Sequence, residues 1–140
     1  MTIKWREAMS VNNEEVDSDH RYLIRLVNAV EDSLNSPNKR ETVTVALDLL
    51  HDYANTHFKR EESLMQKVGY PGLAEHKNHH QALLKNISEL EEKIPAKTES
   101  GSFENDPFPE DLLELLREWL IGHIIGEDLR MKPWVGKDVT

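Results

Sequence analysis

Hydrophobic residues recur every three or four positions in four separate stretches of the chain, which is the spacing of helices that bury one face. The first stretch follows Asp17 and Ser18, either of which can cap a helix, and places Leu23 and Val27 on the buried face. No stretch alternates with the period of a strand. We predict an all-α fold with helices over 18–35, 37–68, 72–94 and 109–131.

The connections between the predicted helices indicate how they are arranged. Short breaks at Ser36-Pro37 and around Pro71 make neighbouring helices antiparallel, whereas the segment 95–109 is longer and rich in Pro, Ser, Gly and acidic residues. The pattern predicts an up-down-up-down antiparallel four-helix bundle in a single domain over 1–140, with an extended amino-terminal segment. Segment 95–109 is interpreted as a surface insertion or as a contact site for a partner.

Each predicted helix carries ionisable residues on the face that should be buried. In the second helix, His57 and Glu61 occupy positions of its apolar rows. In the third helix, His76 and His80 do the same. Both pairs are four residues apart, so their side chains lie on one face of a helix and can bind one ion. Burial of such groups without partners costs several kcal/mol each, and a shared metal site removes that cost. Single histidines complete the set on the first and fourth helices, His20 and His123, and His123 has an acidic residue nearby on its helix.

Composition excludes several classes of function. The chain has 17 basic and 26 acidic residues and a formal net charge of -9, which disfavours nucleic acid and anionic membranes as partners. It has no cysteine, so a disulfide, a thiolate ligand and an iron–sulfur cluster are excluded. No apolar run approaches the roughly 20 residues of a membrane span, and the first residues do not resemble a signal peptide. We expect a cytoplasmic protein.

The types of ligand favour a pair of iron ions. Five imidazoles, two bridging carboxylates and a bridging oxo or hydroxo group leave one of the twelve positions of two octahedral irons open, where O2 can bind. Structural zinc normally has only four ligands. Carboxylate-rich di-iron sites favour oxidation of substrates, whereas neutral imidazoles stabilise Fe(II) and so favour reversible binding.

The residues around these positions resemble the hemerythrin family, in particular its bacterial single-domain members. The stretch 57–65, which reads HFKREESLM, is followed by Tyr70-Pro71 and then by the pair His76 and His80, and together they are similar to the main signature of the family. Residues 16–20 resemble its first-helix motif, and residues 119–128 resemble its fourth-helix motif. The resemblance spans nearly the whole chain and implies a non-heme di-iron centre that binds O2.

The resemblance also implies a ligand for each position of the centre. It assigns one iron to His76, His80 and His123, the other iron to His20 and His57, and the two bridges to Glu61 and Asp128. The iron with fewer ligands is the one expected to bind O2.

The choice of Asp128 depends on the resemblance and not on spacing. Asp128 lies five residues after His123, about 140° around an ideal α-helix, whereas Glu127 lies only about 40° away. Spacing therefore favours Glu127 and the resemblance favours Asp128. We adopt Asp128 on the resemblance, and Gly122 and Gly126 would let the helix deform as that choice requires.

Three further ionisable residues are not assigned to the metals. His51 and His79 fall off the buried rows and are expected at the surface. Glu62 is expected to point away from the metals, towards solvent or towards the outer side of a ligand. The candidates for keeping water from O2, which also fit plain core packing, are Trp5, Leu23, Ile24, Val27, Trp119 and Ile124.

The expected function is reversible O2 binding without catalysis, either for storage or for delivery to an oxygen-consuming enzyme. One alternative is a sensor module whose shape changes with O2 or redox state. Another is a di-iron enzyme that acts on peroxide or nitric oxide.

Overall fold

The computed structural model describes residues 3–93 and 112–136. After a short 3₁₀ turn at Glu7–Met9 come three long helices: α1 (Glu14–Ser33), α2 (Lys39–Val68) and α3 (Leu73–Glu92). These two ranges contain no strand, and the predicted all-α bundle is confirmed. In the same ranges, no helix has both the length and the apolar character needed to cross a lipid bilayer. Segment 95–109 lies outside the described residues.

The fourth helix, α4 (112–135), changes its winding along its length. It is α-helical over Leu112–Arg117, π-helical over Glu118–Ile125 and α-helical again over Gly126–Asp128. A 3₁₀ turn, Leu129–Met131, leads into a last α-helical turn, Lys132–Val135. The helix thus continues past its predicted end at residue 131, and Pro133, where a stop is expected, does not end it. This proline lies in the first turn of Lys132–Val135, where the missing N–H has no partner to lose.

Contacts at both ends of each helix pair show the antiparallel arrangement. Near one end of α1 and α2, the Thr42 hydroxyl donates to the Ser33 carbonyl at 3.2 Å. Near the other end, Arg60 Nη2 donates to Asp19 Oδ1 at 2.8 Å. The other two helix pairs are antiparallel as well. The pairs His51–Glu91 and His80–Glu62 join α2 to α3. The pairs Arg117–Glu31 and His20–Asp128 join α4 to α1.

The first helix begins four residues before its predicted start because a different residue caps it. Asn13 Oδ1 accepts the Val16 N–H at 3.1 Å, which satisfies one of the free N–H groups of the first turn. Asp17, one of the predicted caps, is buried within the helix instead. Its carboxylate accepts the Ser10 hydroxyl at 2.6 Å and the Val11 N–H at 2.9 Å, and so fastens the amino-terminal segment to the bundle.

The second helix ends where glycine permits a left-handed turn. Gly69 has φ 73°, and the N–H of Tyr70 donates to the Met65 carbonyl at 2.9 Å. This is the six-to-one bond of a Schellman motif, which glycine favours because it has no Cβ. The turn brings α3 back along α2.

Two separate apolar clusters form the core. The larger cluster includes Leu23, Phe58, Leu83, Leu120 and Ile124. The smaller one includes Val16, Met65, Met131 and Val135. On each of α1, α2 and α4 the buried residues of the two clusters are separated by roughly two turns of helix, and His20, Glu61 and Asp128 lie in these intervals. The polar site is thus enclosed by apolar packing on both sides along the bundle.

Asp17→Ala should destabilise the protein, because it leaves the Ser10 hydroxyl and the buried Val11 N–H without their acceptor. We expect the free energy of unfolding to fall by about 1–3 kcal/mol, measured by urea denaturation after metal removal. The neighbouring exposed residue provides the control, Ser18→Ala, which should change stability little. Equal effects of the two substitutions would contradict the role given to Asp17.

Candidate metal centre

Six of the seven predicted ligands meet in one buried layer between the apolar clusters, here called the ligand layer. None of the six is more than 4% exposed: His20, His57, Glu61, His76, His80 and Asp128. They form two groups of four, in each of which the possible donor atoms lie within 4.8 Å of one another. The first group contains His20 and His57, the second contains His76 and His80, and both contain Glu61 and Asp128. The layer therefore offers two adjacent positions for metal that share two carboxylates.

Each shared carboxylate turns one oxygen to either side. Asp128 Oδ2 lies 2.7 Å from His20 Nε2, while its Oδ1 lies 2.8 Å from His76 Nε2. Glu61 Oε2 lies 3.0 Å from His57 Nε2, while its Oε1 lies 3.0 Å from His76 Nε2. His80 Nε2 is 3.1 Å from the same Glu61 oxygen. This is the arrangement that a carboxylate needs in order to bridge two ions.

Unsatisfied polar atoms support the fit of a metal. His57 Nε2 and Glu61 Oε2 are buried and, although 3.0 Å apart, are not aligned for a hydrogen bond. A buried polar atom without a partner is costly, and a cation bound between these two atoms would satisfy both. Imidazole nitrogen with carboxylate oxygen is a donor set suited to iron, manganese or zinc. The residues present therefore fit a pair of transition-metal ions.

The winding of α4 explains why Asp128 lies in the layer. The π-helical segment Glu118–Ile125 has hydrogen bonds that span five residues instead of four, so it advances more slowly around the axis than an α-helix. Asp128 is completely buried, whereas Glu127 is half-buried and its Oε2 lies 3.7 Å from Arg130 Nη1. The calculation that favoured Glu127 assumed ideal α-helical winding and a His123 side chain in the same layer, and neither holds in this helix.

His123 is the predicted ligand that the structure does not bring into the layer. Its side chain is 45% exposed, and its Nε2 lies 3.7 Å from Glu118 Oε1 on the same helix. It lines a surface cavity beside Trp119 and Glu89. His123 lies near the end of the π-helical segment, five residues before Asp128. Its ring is directed outwards and not towards the ligand layer.

A hydrogen-bonded network behind His57 is the feature that sequence reasoning missed. Asp19 Oδ2 accepts His57 Nδ1 at 2.8 Å, which directs Nε2 of the same ring into the ligand layer. The carboxylate also accepts the Tyr53 hydroxyl at 2.7 Å and two bonds from Arg60. A sequence signal existed, because Asp19 lies three residues after Val16 and so shares the buried face of α1 with it.

The pKa of Asp19 shows that it is a charged partner. Burial opposes its charge, but hydrogen bonds from His57, Arg60 and Tyr53 outweigh burial and hold the pKa of Asp19 well below its usual range. Burial and the bond to Asp19 raise the pKa of Tyr53 to about 12, so the phenol keeps its proton. A charged carboxylate behind a metal-binding imidazole fixes the orientation of the ring and increases its basicity.

His80 has a comparable support on the other side of the layer. Its Nδ1 donates to Glu62 Oε2 at 2.7 Å, so Glu62 lies on the outer side of a predicted ligand. Phe58 stacks on the imidazole, with ring centroids 4.0 Å apart and planes 7° apart. Both contacts hold Nε2 of His80 towards Glu61. The two histidines that were expected at the surface, His51 and His79, are each partly buried and do not join the layer.

The carboxylates control the charge of the imidazoles. Burial opposes a proton on His57, but Glu61, Asp128 and Asp19 outweigh it and raise the pKa of His57 well above its usual range. By the same balance, with Asp128 and Glu61 as partners, the pKa of His76 rises from 6.5 to about 9. Burial opposes the charge of Asp128, but the hydrogen bonds that it accepts keep its pKa well below the usual range.

Comparison with known proteins decides the family. A family model described as the hemerythrin HHE cation binding domain matches residues 11–135. The chain belongs to the hemerythrin family. Hemerythrins bind non-heme iron and O2, and the His, Glu and Asp cluster of this chain is able to hold metal.

Individual relatives agree over most of their length. The bacteriohemerythrin of Methylococcus capsulatus is 35% identical over 117 residues, which cover 84% of this chain and 83% of the relative. That of Stenotrophomonas maltophilia is 29% identical over 124 residues, 89% of this chain and 75% of the relative. The crystal structure of a wild-type hemerythrin matches with a TM-score of 0.78 and 30% identity, over 98% of this chain and 100% of that chain. This hemerythrin chain therefore shares both sequence and bundle with its relatives.

Asp19→Asn should weaken the binding of one metal ion, because it removes the charge that orients His57. We expect a loss of affinity of roughly 10–100-fold for one of the two positions, as is typical when such a partner is removed. Competition between the protein and a coloured chelator for Co²⁺ measures it. Asp52→Asn, an exposed change on the same helix as His57, is the control. If both variants bind Co²⁺ like the unaltered protein, Asp19 has no such role.

Metal binding at pH 7 should release protons, because His57 and His76 carry protons in the metal-free protein and a metal-binding imidazole must lose its own. The pKa of His76 is raised in the fold, so its stabilising contribution is complete below pH 6.5 and is lost as the pH rises towards 9. Release should therefore be large at pH 7 and smaller above pH 9, with apparent affinity rising over the same range. An indicator dye in weakly buffered solution measures the release, and a second addition after saturation is the control. Equal release at both pH values would refute this assignment.

Proposed function

We propose that this chain is a di-iron protein that binds O2 reversibly, for storage or for delivery to an oxygen-consuming enzyme. The observation that carries the proposal is the pair of four-residue groups that share Glu61 and Asp128. Each shared carboxylate faces imidazoles on both sides, so two ions bound there would be neighbours joined by two bridges.

The proposed ligand assignment follows the two groups. His20 and His57 would hold one iron, His76 and His80 would hold the other, and Glu61 and Asp128 would bridge them. We also propose His123 as a third imidazole for the second iron. Its side chain would have to turn inwards from its exposed position in the π-helical segment that ends at Ile125.

The donor set favours reversible binding over oxidation. Two ferrous ions held by these residues would supply the electrons that O2 binding requires. The imidazoles are neutral donors that stabilise the ferrous state. Asp19 and Glu62 accept the Nδ1 protons of His57 and His80, so both rings keep Nε2 directed at the bridging carboxylates.

The surroundings favour a small ligand. Apolar clusters lie on both sides of the ligand layer along the bundle, and none of the six ligand residues in it is more than 4% exposed. A site so enclosed suits a diatomic molecule and keeps bulk water away from it. This supports a binding protein and not an enzyme with a larger substrate. The cytoplasmic location and the absence of nucleic-acid and membrane partners stay predictions.

Absorption spectroscopy of the iron-loaded protein tests the proposal. Reversible binding predicts a visible charge-transfer band that appears with O2, bleaches when O2 is removed under argon and returns on re-exposure. His80→Ala, which removes an imidazole from the ligand layer, should lose the reversible band. His51→Ala, which removes a partly buried histidine paired with Glu91, should keep it.

The iron-loaded protein also separates the alternative functions. An irreversible spectral change on first exposure to O2 would refute reversible binding. Sustained turnover of peroxide or nitric oxide by the loaded protein would show an enzyme instead. A loaded protein whose reversible O2 binding is accompanied by a change in shape, measured by small-angle scattering, would favour a sensor over a carrier.

A further inference from the structure

A charged cleft leads from the surface to the ligand layer. It lies between the start of α3 and the end of α4 and has a volume of about 200 Å³. Its lining includes Glu75, His76 and His79 from α3, and Glu127 and Arg130 from α4. The cleft is open at the surface, and one of its lining residues is a predicted metal ligand.

That residue, His76, connects the cleft with the metal positions. It lines the cleft, although its side chain is only 3% exposed. Its Nε2 lies 3.0 Å from Glu61 Oε1 and 2.8 Å from Asp128 Oδ1, the two bridging carboxylates. An ion at the inner end of the cleft is therefore one side chain away from the centre.

His79 supplies a second imidazole on this path. It is half-buried, and its ring centroid lies 6.2 Å from that of His76 and 5.7 Å from that of His123. Its Nε2 donates to the His123 carbonyl at 3.4 Å, a long hydrogen bond. His79 is outside both groups of the ligand layer, so the centre does not need it as a ligand. Three imidazoles at these separations lead from the exposed face of α4 to the buried layer.

The charges of the lining select the molecule that would use the cleft. Glu75 and Glu127 attract cations, whereas Arg130 lies 3.7 Å from Glu127 and opposes them. An apolar diatomic gas gains nothing from carboxylates, but imidazole and carboxylate are the ligands that a divalent transition-metal ion takes. The net charge of -9 adds a general attraction for cations.

We propose that this cleft is the route by which a divalent metal cation enters the centre, with His79 as a transient ligand that passes the ion to His76. The inference rests on the proposed function to the extent that the ligand layer must hold metal. Because the cleft opens at His76, the position that includes His76 and His80 fills first. The position of His20 and His57 lies beyond the bridging carboxylates, so it fills second.

Stopped-flow uptake of Co²⁺ by the metal-free full chain tests the route, with the ion followed by its d–d absorption. His79→Ala and His79→Gln should both slow uptake by roughly tenfold, the lower end of the range by which a protein accelerates the capture of a charged ligand. Both variants should leave the final ratio of Co²⁺ to protein unchanged. Glutamine keeps an N–H that can donate to the His123 carbonyl but lacks the imidazole. His51→Ala, far along the bundle beside Glu91, should load at the unaltered rate.

Two substitutions of charged lining residues should change the rate of uptake in opposite directions. Glu75→Gln should slow uptake because it removes an attracting carboxylate, and Arg130→Gln should speed uptake because it removes a repelling cation. Both effects should shrink as salt concentration rises. Neither residue belongs to the ligand layer, so the final ratio should again stay unchanged.

Three results would overturn the inference. Uptake at the unaltered rate in both His79 variants would exclude the relay. Recovery of the full rate by glutamine would show that His79 only holds α4 in place. Failure of the unaltered chain to bind Co²⁺ would remove the proposed metal centre and the route together, whereas normal binding with unaffected His79 variants would remove the route alone.

Discussion

The sharing of two buried carboxylates among four imidazoles is the constraint on which the rest of the structure depends. Glu61 and Asp128 are fully enclosed, and imidazole nitrogens surround both carboxylates. The helices must therefore place donors from all sides at the same level of the bundle. That requirement interrupts the apolar core and divides it into two clusters, one on each side of the ligand layer.

Helix geometry meets this requirement in two ways. On α2 and α3 an ordinary α-helix is sufficient, because residues four apart share a face and deliver two side chains to one level. On α4 the winding widens over Glu118–Ile125, and the buried carboxylate that results is Asp128 and not its neighbour. Turns of this type are rare and occur frequently at functional sites. The change in winding is thus part of how the site is built.

Spacing along the chain could predict the parts of the site that lie on regular helices. The pairs His57–Glu61 and His76–His80 follow from α-helical periodicity, and His20 follows from its position on a buried stripe. Asp128 did not follow from spacing, because no residue pattern indicates where a helix changes to π-winding. Only the family resemblance selected it. The start of α1 was displaced for a similar local reason, since Asn13 and not Asp17 caps it.

Contacts between helices account for the parts of the site that the sequence did not predict. Asp19 acts on His57 across the α1–α2 interface, so its role requires knowing which faces meet. The two sides of the layer also differ in these contacts. On the side of His57, Asp19 is bonded to Arg60 and Tyr53, whereas on the other side His76 lines an open cleft. The two groups of the ligand layer therefore differ in their surroundings, although they share Glu61 and Asp128.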